Sequence, residues 1–437
     1  MSAAEPVRQD NAAPRRRRLP TFFGFLLTIA MVWLGGQFLT QGMSDYFLEF
    51  DPGAAVLWRG DSSDALTRFA TAQLPAQHWE LARRLAIRAI RLAPLNATAI
   101  TAYGLALDGA GQTDKADQVL SLAGQRSWRD PPTQIWLLKR RLTQGQYAEG
   151  LAHLDALLRQ EERYPPLPLA IMAAAGLDPK AQGPLAERLS YAPRWRTPFL
   201  QFLAGTPRTD FVDEEGALEA RLMATSAPPT DEELNFYLSR LLREQRYADA
   251  EAAWRKLSPQ SAASSALISD GDFEHPPRQT PFDWQLASGI GWTAQVGDAP
   301  GDGHGKALSV EYDGVSPVQP LRQYLVLAPG TYRFTGMGFD QGGQDADSMV
   351  WRIACDGSGD ALGTAKILAG TPGQWRPFSA DFTIPPTGCP AQMLLLTTSP
   401  GDVHKDIVVW YDNLAIAAVG APVAPSAQSG GAQPSAH

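Results

Sequence analysis

The residues best suited to chemistry in this chain are tryptophans in its last third. A flat indole face packs against the C–H groups of a sugar, while carboxylates and amides bind its hydroxyls. The sequence favours Trp284, Trp292 and Trp375 as sugar platforms, because Trp292 and Trp375 adjoin glycines in predicted loops. Trp351 and Trp410 lie in predicted strands, so we expect them in the core. The alternative for each of these tryptophans is an ordinary core position.

Motifs for catalysis are missing from the sequence. It contains no His-Glu-x-x-His, as zinc peptidases have, and no Gly-x-Ser-x-Gly nucleophile elbow. Residues 301–307 read Gly-Asp-Gly-His-Gly-Lys-Ala, but the spacing is too short for a phosphate loop and Ala307 replaces the Ser or Thr. Acid pairs for glycoside cleavage stay open, since nothing singles out one pair. We therefore expect no enzyme.

The charge of the chain limits its partners. The net charge of −8 disfavours nucleic acid, which binds basic surfaces. Residues 266–418 carry 8 Lys and Arg against 17 Asp and Glu. A neutral glycan or a protein is therefore an easier partner for this region than an acidic polysaccharide, unless calcium bridges the two.

Cys355 and Cys389 are the two cysteines of the chain. In an oxidising compartment, two cysteines in one domain favour a single disulfide. A metal site would need more ligands than two thiols. Two free buried thiols are the alternative.

Residues 19–44 form an apolar stretch without a charged residue, and Arg15 to Arg18 precede it. About 20 apolar residues span a bilayer, and a basic flank stays in the cytoplasm. This predicts a transmembrane helix over 19–44, with residues 1–18 cytoplasmic and disordered and the rest exported to the periplasm of a two-membrane bacterium. A cleaved secretory signal is the alternative. The tail, 419–437, has no charged residue and is also expected to be disordered.

The chain after the apolar stretch has an internal period of 34 residues. Small residues recur at Ala82, Ala116 and Gly150, and the text Gly-Gln at 111–112 returns at 145–146. Small residues at fixed places let two helices approach closely. This pattern resembles the tetratricopeptide repeat, with repeats over 63–96, 97–130 and 131–164.

The resemblance implies a helical solenoid over residues 45–260. A capping box, Thr230 with Glu233, begins a final helix pair, and the text between it and the third repeat is expected to hold degenerate repeats. Stacked repeats leave a groove in which protein partners bind. A pure spacer is the alternative.

A serine and alanine linker, 261–266, separates the helices from a region of glycine, aspartate and alternating runs. Seven strands are predicted there, over 307–312, 323–327, 331–337, 350–355, 378–384, 393–398 and 407–416. Their spacing predicts an all-β sandwich over residues 267–418.

Two phrases frame this region. It opens with Ser269-Asp270-Gly271-Asp272-Phe273-Glu274 and closes with Val409-Trp410-Tyr411-Asp412-Asn413-Leu414. The pair resembles the jelly-roll carbohydrate-binding modules. In that family the opening glutamate and closing aspartate often hold a structural calcium ion, which implies Glu274 and Asp412 as ligands here.

Together these features predict a multidomain protein: a transmembrane helix in the inner membrane, an all-α solenoid and a jelly roll. The order of parts favours a non-catalytic periplasmic scaffold for envelope or exopolysaccharide assembly and export, with glycan contact through the β region. A periplasmic chaperone or assembly factor for membrane complexes is the second hypothesis. A polysaccharide hydrolase or lyase is the third.

Overall fold

The computed structural model describes residues 21–160, 163–208, 211–258, 266–301, 305–313, 319, 321–341, 349–357, 361–367, 372–398 and 407–419. Disorder was predicted for 1–18 and 419–437. Residues 1–18, all of the tail after Val419 and most of the predicted linker fall outside the described residues. The chain divides into two compact units, residues 1–160 and 161–437.

Unit 1 is helical throughout its described part. Its helices are α1 (Thr21–Phe47), α2 (Pro52–Trp58), α3 (Ser63–Gln73), α4 (Trp79–Leu92), α5 (Ala97–Gly109), α6 (Thr113–Arg126), α7 (Pro131–Thr143) and α8 (Tyr147–Leu158). Among the described residues, only α1 is long and apolar enough to cross a membrane. A signal sequence near the N-terminus has a similar length and apolar composition. An apolar helix at the predicted place is confirmed, and its topology stays a prediction.

The helices after α2 follow the predicted period. Ser63, Ala97 and Pro131 begin α3, α5 and α7, at intervals of 34 residues, and each predicted repeat holds two helices. Gly150 shows why small residues recur: a Cβ atom there would lie 2.9 Å from Leu142 Cδ2 on the paired helix. The helical architecture is confirmed, and membership of the tetratricopeptide family stays a prediction.

Unit 2 begins with a second group of helices. They are α9 (Pro166–Gly176), α10 (Pro179–Ser190), α11 (Arg196–Gly205), α12 (Val212–Leu222), α13 (Asp231–Arg243) and α14 (Tyr247–Leu257). The predicted capping box is present: Thr230 Oγ1 accepts from the Glu233 amide, and the Glu233 carboxylate accepts from the Thr230 amide. These bonds satisfy two of the free N–H groups at the start of α13.

The rest of unit 2 is a β-sandwich. Its strands are β1 (Gln285–Leu286), β2 (Trp292–Asp298), β3 (Lys306–Tyr312), β4 (Leu321–Leu325), β5 (Gly330–Asp340), β6 (Met349–Cys355), β7 (Ala361–Lys366), β8 (Trp375–Ile384), β9 (Gln392–Thr398) and β10 (Ile407–Ala418). All seven predicted strands are confirmed, and β1, β2 and β7 are additional. The predicted sequence of fold classes, helical then all-β, is correct.

The strands form two antiparallel sheets. Sheet 1 has the order β1-β4-β9-β6-β7, and sheet 2 has the order β2-β3-β10-β5-β8. Aromatic side chains fill the space between the sheets: Trp351 of sheet 1 makes edge contacts with Phe334 and Tyr411 of sheet 2. The predicted disulfide is confirmed, since Cys355 at the end of β6 bonds to Cys389 before β9.

The last helix pair packs directly on the sandwich. Phe282 and Tyr324 of the sandwich lie in one apolar cluster with Trp254 of α14. Trp254 Nε1 donates to Thr280 Oγ1 at 3.1 Å, and Tyr247 Oη donates to Asp356 Oδ2 at 2.9 Å. The sandwich and α9 to α14 belong to one compact unit, residues 161–437. The predicted domain boundary at 261–266 stays a prediction.

Charged residues are buried within the helices of unit 2. Arg196 donates to Glu233 Oε2 at 2.8 Å, and Arg240 donates to Glu215 Oε2 at 2.8 Å. Glu219 is 1% exposed, and neither of its carboxyl oxygens has a hydrogen-bond partner among the described residues. Burial raises the pKa of Glu219 well above its usual value, and the neighbouring carboxylates raise it further. The folded protein therefore holds the Glu219 proton to a higher pH than the unfolded chain does.

This burial predicts that Glu219→Met stabilises unit 2. A buried polar group without a partner costs about 1–3 kcal/mol, and methionine removes that cost at similar length. Above pH 4.5, the usual Glu pKa, the unfolded chain releases the proton that folded Glu219 keeps. The free energy of unfolding of the wild type therefore falls as pH rises, and the advantage of the variant grows with pH. Urea unfolding of the wild type and of Glu219→Met at pH 5 and pH 8 measures the difference in their free energies of unfolding.

Glu232→Met, at an exposed position in the first turn of α13, is the matched control and should bring no such gain. A Glu219→Met protein that is less stable than the wild type at pH 8 would show that the carboxyl has a stabilising role.

Candidate functional site

Sheet 2 turns one face to the core and one face outward, and β10 shows the alternation. Val409 and Tyr411 belong to the core cluster between the sheets. Trp410 lies between them in sequence, so its side chain points to the opposite, outer face. It is partly exposed there.

The strand register builds a row of aromatic rings on this outer face. Trp410 of β10 pairs with Phe339 of β5, and Phe339 pairs with Trp375 of β8. The ring centroids of Phe339 and Trp375 are 5.5 Å apart. Two strand spacings separate Trp410 from Trp375, about 10 Å. We call Trp410, Phe339 and Trp375 the aromatic row.

Hydrogen bonds hold both indoles of the aromatic row. Trp410 Nε1 donates to Gln341 Oε1 at 3.1 Å. Trp375 Nε1 donates to the carbonyl oxygen of Pro300 at 2.8 Å. Each indole N–H is thus bound at the ring edge, which restricts rotation while the ring keeps a partly exposed surface.

A cleft of about 620 Å³ continues from the row along the same face. Glu311 pairs with Thr293 on one side and with Val408 on the other, so these side chains share the outer face one step from Trp410. Gln341 lines the cleft and also binds Trp410, which joins cleft and row. Carboxylate and amide groups therefore stand beside aromatic rings, and none of the described lining residues is Lys or Arg.

Trp284 is not part of this surface. It is fully buried and stacks on Phe273, with ring centroids 5.3 Å apart. Its Nε1 donates to the carbonyl oxygen of Asp270 at 2.8 Å. Because a buried indole has no face open to a ligand, Trp284 is a core residue and its assignment as a sugar platform is corrected.

The other two predicted platforms lie in strands and not in loops. Trp292 begins β2, packs partly against the core and lines the cleft. Trp375 begins β8 and belongs to the aromatic row. Sequence reasoning placed Trp410 in the core and overlooked Phe339. The pairing of Trp410 with Phe339 would have placed both residues on one face. That pairing joins β10 to β5, which are far apart in sequence, so the sequence alone does not show it.

The two predicted calcium ligands lie near the start of β3. Glu274 Oε1 accepts from the Lys306 amide at 2.9 Å. Tyr411 pairs with Leu308, which puts the next residue, Asp412, near the same end of the strand. Asp412 is 4% exposed and accepts hydrogen bonds from Asn413. Carboxylates suit calcium, but the ion takes six to eight oxygens, so carbonyls and water would have to supply the rest. No group of three or more His, Cys, Asp or Glu fit for a metal occurs among the described residues.

A second cleft, of about 700 Å³, lies between α14 and the sandwich. Burial raises the pKa of Asp270 and of Asp283 above the usual Asp value. Both carboxylates have local tasks: Asp270 binds the His275 ring at 2.9 Å, and Asp283 accepts from the amides of Arg278 and Trp284. The Asp270 carboxylate in turn raises the pKa of His275.

No protein-family model matches this chain, and no curated protein matches it. Solved structures match about a third of it. A structure described as "CBM4 structure and function" is 15% identical over 35% of this chain and 99% of its own, with a TM-score of 0.27. The module TmCBM61, solved with β-1,4-galactotriose, is 12% identical over 36% and 100%, with a TM-score of 0.26.

The enzymatically active domain of tailspike protein 4 from bacteriophage CBA120 also matches. It is 14% identical over 35% of this chain, with a TM-score of 0.27, and this chain spans only 21% of its length.

Proposed function

We propose that this protein is a membrane-anchored, non-catalytic scaffold that binds a glycan on the outer face of sheet 2. The aromatic row carries the proposal: Trp410 and Trp375 stand on strands about 10 Å apart, a spacing that suits two sugar rings along an extended glycan. Glu311 and Gln341 beside the row offer acceptors and a donor for hydroxyl groups.

The charge of the face indicates which glycan fits. Glu311 and Asp313 line the cleft, and no described lining residue is basic. The sandwich as a whole carries 8 Lys and Arg against 17 Asp and Glu. A neutral glycan meets no repulsion there, whereas an acidic one does.

The remaining parts of the proposal come from the order of the chain. An apolar helix preceded by four arginines would keep the protein in the inner membrane with its bulk in the periplasm. The disulfide suits that oxidising compartment. The helical repeats would hold protein partners of envelope or exopolysaccharide assembly, and crosslinking in cells identifies them. Capture of translocon or respiratory subunits instead would favour the chaperone hypothesis.

Trp410→Ala and Trp375→Ala are expected to weaken glycan binding by a factor of about 10–30 each, because losing an aromatic contact at the centre of an interface costs about 2 kcal/mol. The measurement uses the detergent-solubilised full chain on an array of neutral and acidic bacterial polysaccharides. Affinity for the neutral polysaccharide that binds best is then compared between variants. Release of reducing ends is assayed on the same samples, and none is expected.

Trp128→Ala is the matched control, since Trp128 is 49% exposed but belongs to unit 1. It should leave glycan affinity unchanged. Binding that survives in Trp410→Ala, or the absence of binding to every glycan, would reject the outer face of sheet 2 as the site.

We also propose that Glu274 and Asp412 hold a structural calcium ion. Chelation by EDTA is then expected to lower the thermal midpoint of the wild type, while Glu274→Gln should be insensitive to EDTA because it has lost a charged ligand. Differential scanning fluorimetry with and without added calcium measures this. If neither EDTA nor calcium changes the thermal midpoint of the wild type, the only role of Glu274 is its hydrogen bond to the Lys306 amide.

A further inference from the structure

The segment from the end of α1 to the end of α2, which we call the corner, exposes large apolar side chains. Tyr46 is 65% exposed, Phe50 80%, Leu57 88% and Trp58 42%. The Tyr46 ring centroid lies 6.2 Å from that of Phe50, so part of the set already forms an aromatic cluster. A cluster of this kind on a water-facing surface usually marks a contact with a membrane or a protein.

The corner is tied to the helices that follow it. Ser44 of α1 is 2% exposed, and its Oγ donates to the Ala55 carbonyl oxygen at 3.1 Å. Asp51 caps α2 by accepting from the Ala54 amide at 3.0 Å. Val56 packs against the core that α3 and α4 share. The end of α1 therefore continues into the packed part of unit 1, and α2 is part of that packing.

The length of α1 determines the depth at which this corner would lie in a bilayer. Its 27 residues extend about 40 Å, compared with about 30 Å of hydrocarbon and about 40–45 Å including the headgroups. If Arg15 to Arg18 stay at one headgroup layer, Tyr46 reaches the opposite one. Tyrosine and tryptophan prefer this layer, where one end of the ring is apolar and the other is wet.

We propose that Tyr46, Phe50, Leu57 and Trp58, which we call the aromatic collar, sit at the headgroup boundary of the membrane that α1 crosses. The collar holds the repeat helices of unit 1 at the membrane surface. This inference rests on the proposed insertion of α1 but not on glycan binding. Acidic residues Asp45, Glu49 and Asp51 lie among the collar residues, so the contact is apolar and does not depend on anionic lipid.

Spin labels test the collar in the full chain. Phe50→Cys and Leu57→Cys are labelled with a nitroxide one at a time, and the native cysteines do not react because they form a disulfide. Val32→Cys, 72% exposed on α1, reports insertion, and Leu95→Cys, 82% exposed after α4, is the matched apolar control. The samples are nanodiscs of pure phosphatidylcholine. Power saturation compares access of oxygen, which concentrates in lipid, with access of a water-soluble nickel complex.

We expect the oxygen-to-nickel ratio at positions 50 and 57 to lie severalfold above that at 95 and below that at 32. Ratios at 50 and 57 equal to the one at 95 would overturn the collar while insertion stands. Protection from both oxygen and nickel at 50 and 57 would also overturn it, since a protein partner or a second copy then covers the corner. A water-like ratio at 32 would reject insertion and the collar together.

Discussion

Arg240→Ala is expected to lower the free energy of unfolding of unit 2 by about 3–5 kcal/mol, because it removes one partner of a buried ion pair. Arg240 is fully buried and donates to Glu215 Oε2, to Glu244 Oε1 and to the carbonyl oxygens of Leu203 and Arg208. Alanine would leave the Glu215 carboxylate buried without its counter-charge. Urea unfolding followed by tryptophan fluorescence measures the loss.

A double replacement, measured beside its two single replacements Arg240→Met and Glu215→Leu, separates the ion pair from simple packing. Replacing both partners, as Arg240→Met with Glu215→Leu, removes the buried charges together and should cost less than Arg240→Ala alone. Arg68→Ala, at an exposed position of α3, is the control for arginine removal. A single variant within about 1 kcal/mol of the wild type would mean that water replaces the guanidinium without penalty.

Trp284→Ala is expected to destabilise the sandwich by about 3–5 kcal/mol without removing a glycan contact. Its ring packs against Phe273 and Trp351, with centroids 5.3 and 6.0 Å away, and its N–H binds the Asp270 carbonyl oxygen. Alanine opens a cavity there and leaves this carbonyl unpaired. Thermal unfolding and glycan affinity are measured on the same protein, with affinity taken well below the midpoint.

Trp410→Ala supplies the opposite profile for comparison. Its ring is partly exposed, so we expect a small change in stability and a large loss of affinity. Trp284→Phe, which keeps an aromatic ring but lacks the N–H, should lie between the wild type and Trp284→Ala in stability. A folded Trp284→Ala protein with lost glycan affinity would return Trp284 to the binding site.

The strands and the paired helices were predictable because their determinants are local. In β8, buried Phe378 and Phe382 alternate with exposed Ser379 and Asp381, and this two-residue period predicts a strand. The period of 34 residues likewise predicted helix pairs that begin at Ser63, Ala97 and Pro131. The cystine followed from having only two cysteines in one domain.

The site was only partly predictable, because β10 is apolar on both faces. Val409, Trp410 and Tyr411 all suit a core. Alternation alone does not show whether the odd-numbered or the even-numbered residues of β10 face inward. Trp284 was a candidate platform as a tryptophan of this region, and its burial in the core is visible only in the tertiary structure. Trp375 was found because glycine precedes it nearby, but its neighbours in the row come from strands distant in sequence.

By itself the sequence determined the order of parts: an apolar helix, helix pairs, and a sandwich that contains one disulfide. Hydrophobic period, chain length and turn residues act over short distances, so they can be read along the chain. Only the tertiary structure decided that Trp410, Phe339 and Trp375 share one face, and that α13 and α14 pack with the sandwich through Trp254 and Phe282. Strand register and interhelical packing join residues far apart in sequence, and that pairing follows from burial in the whole fold.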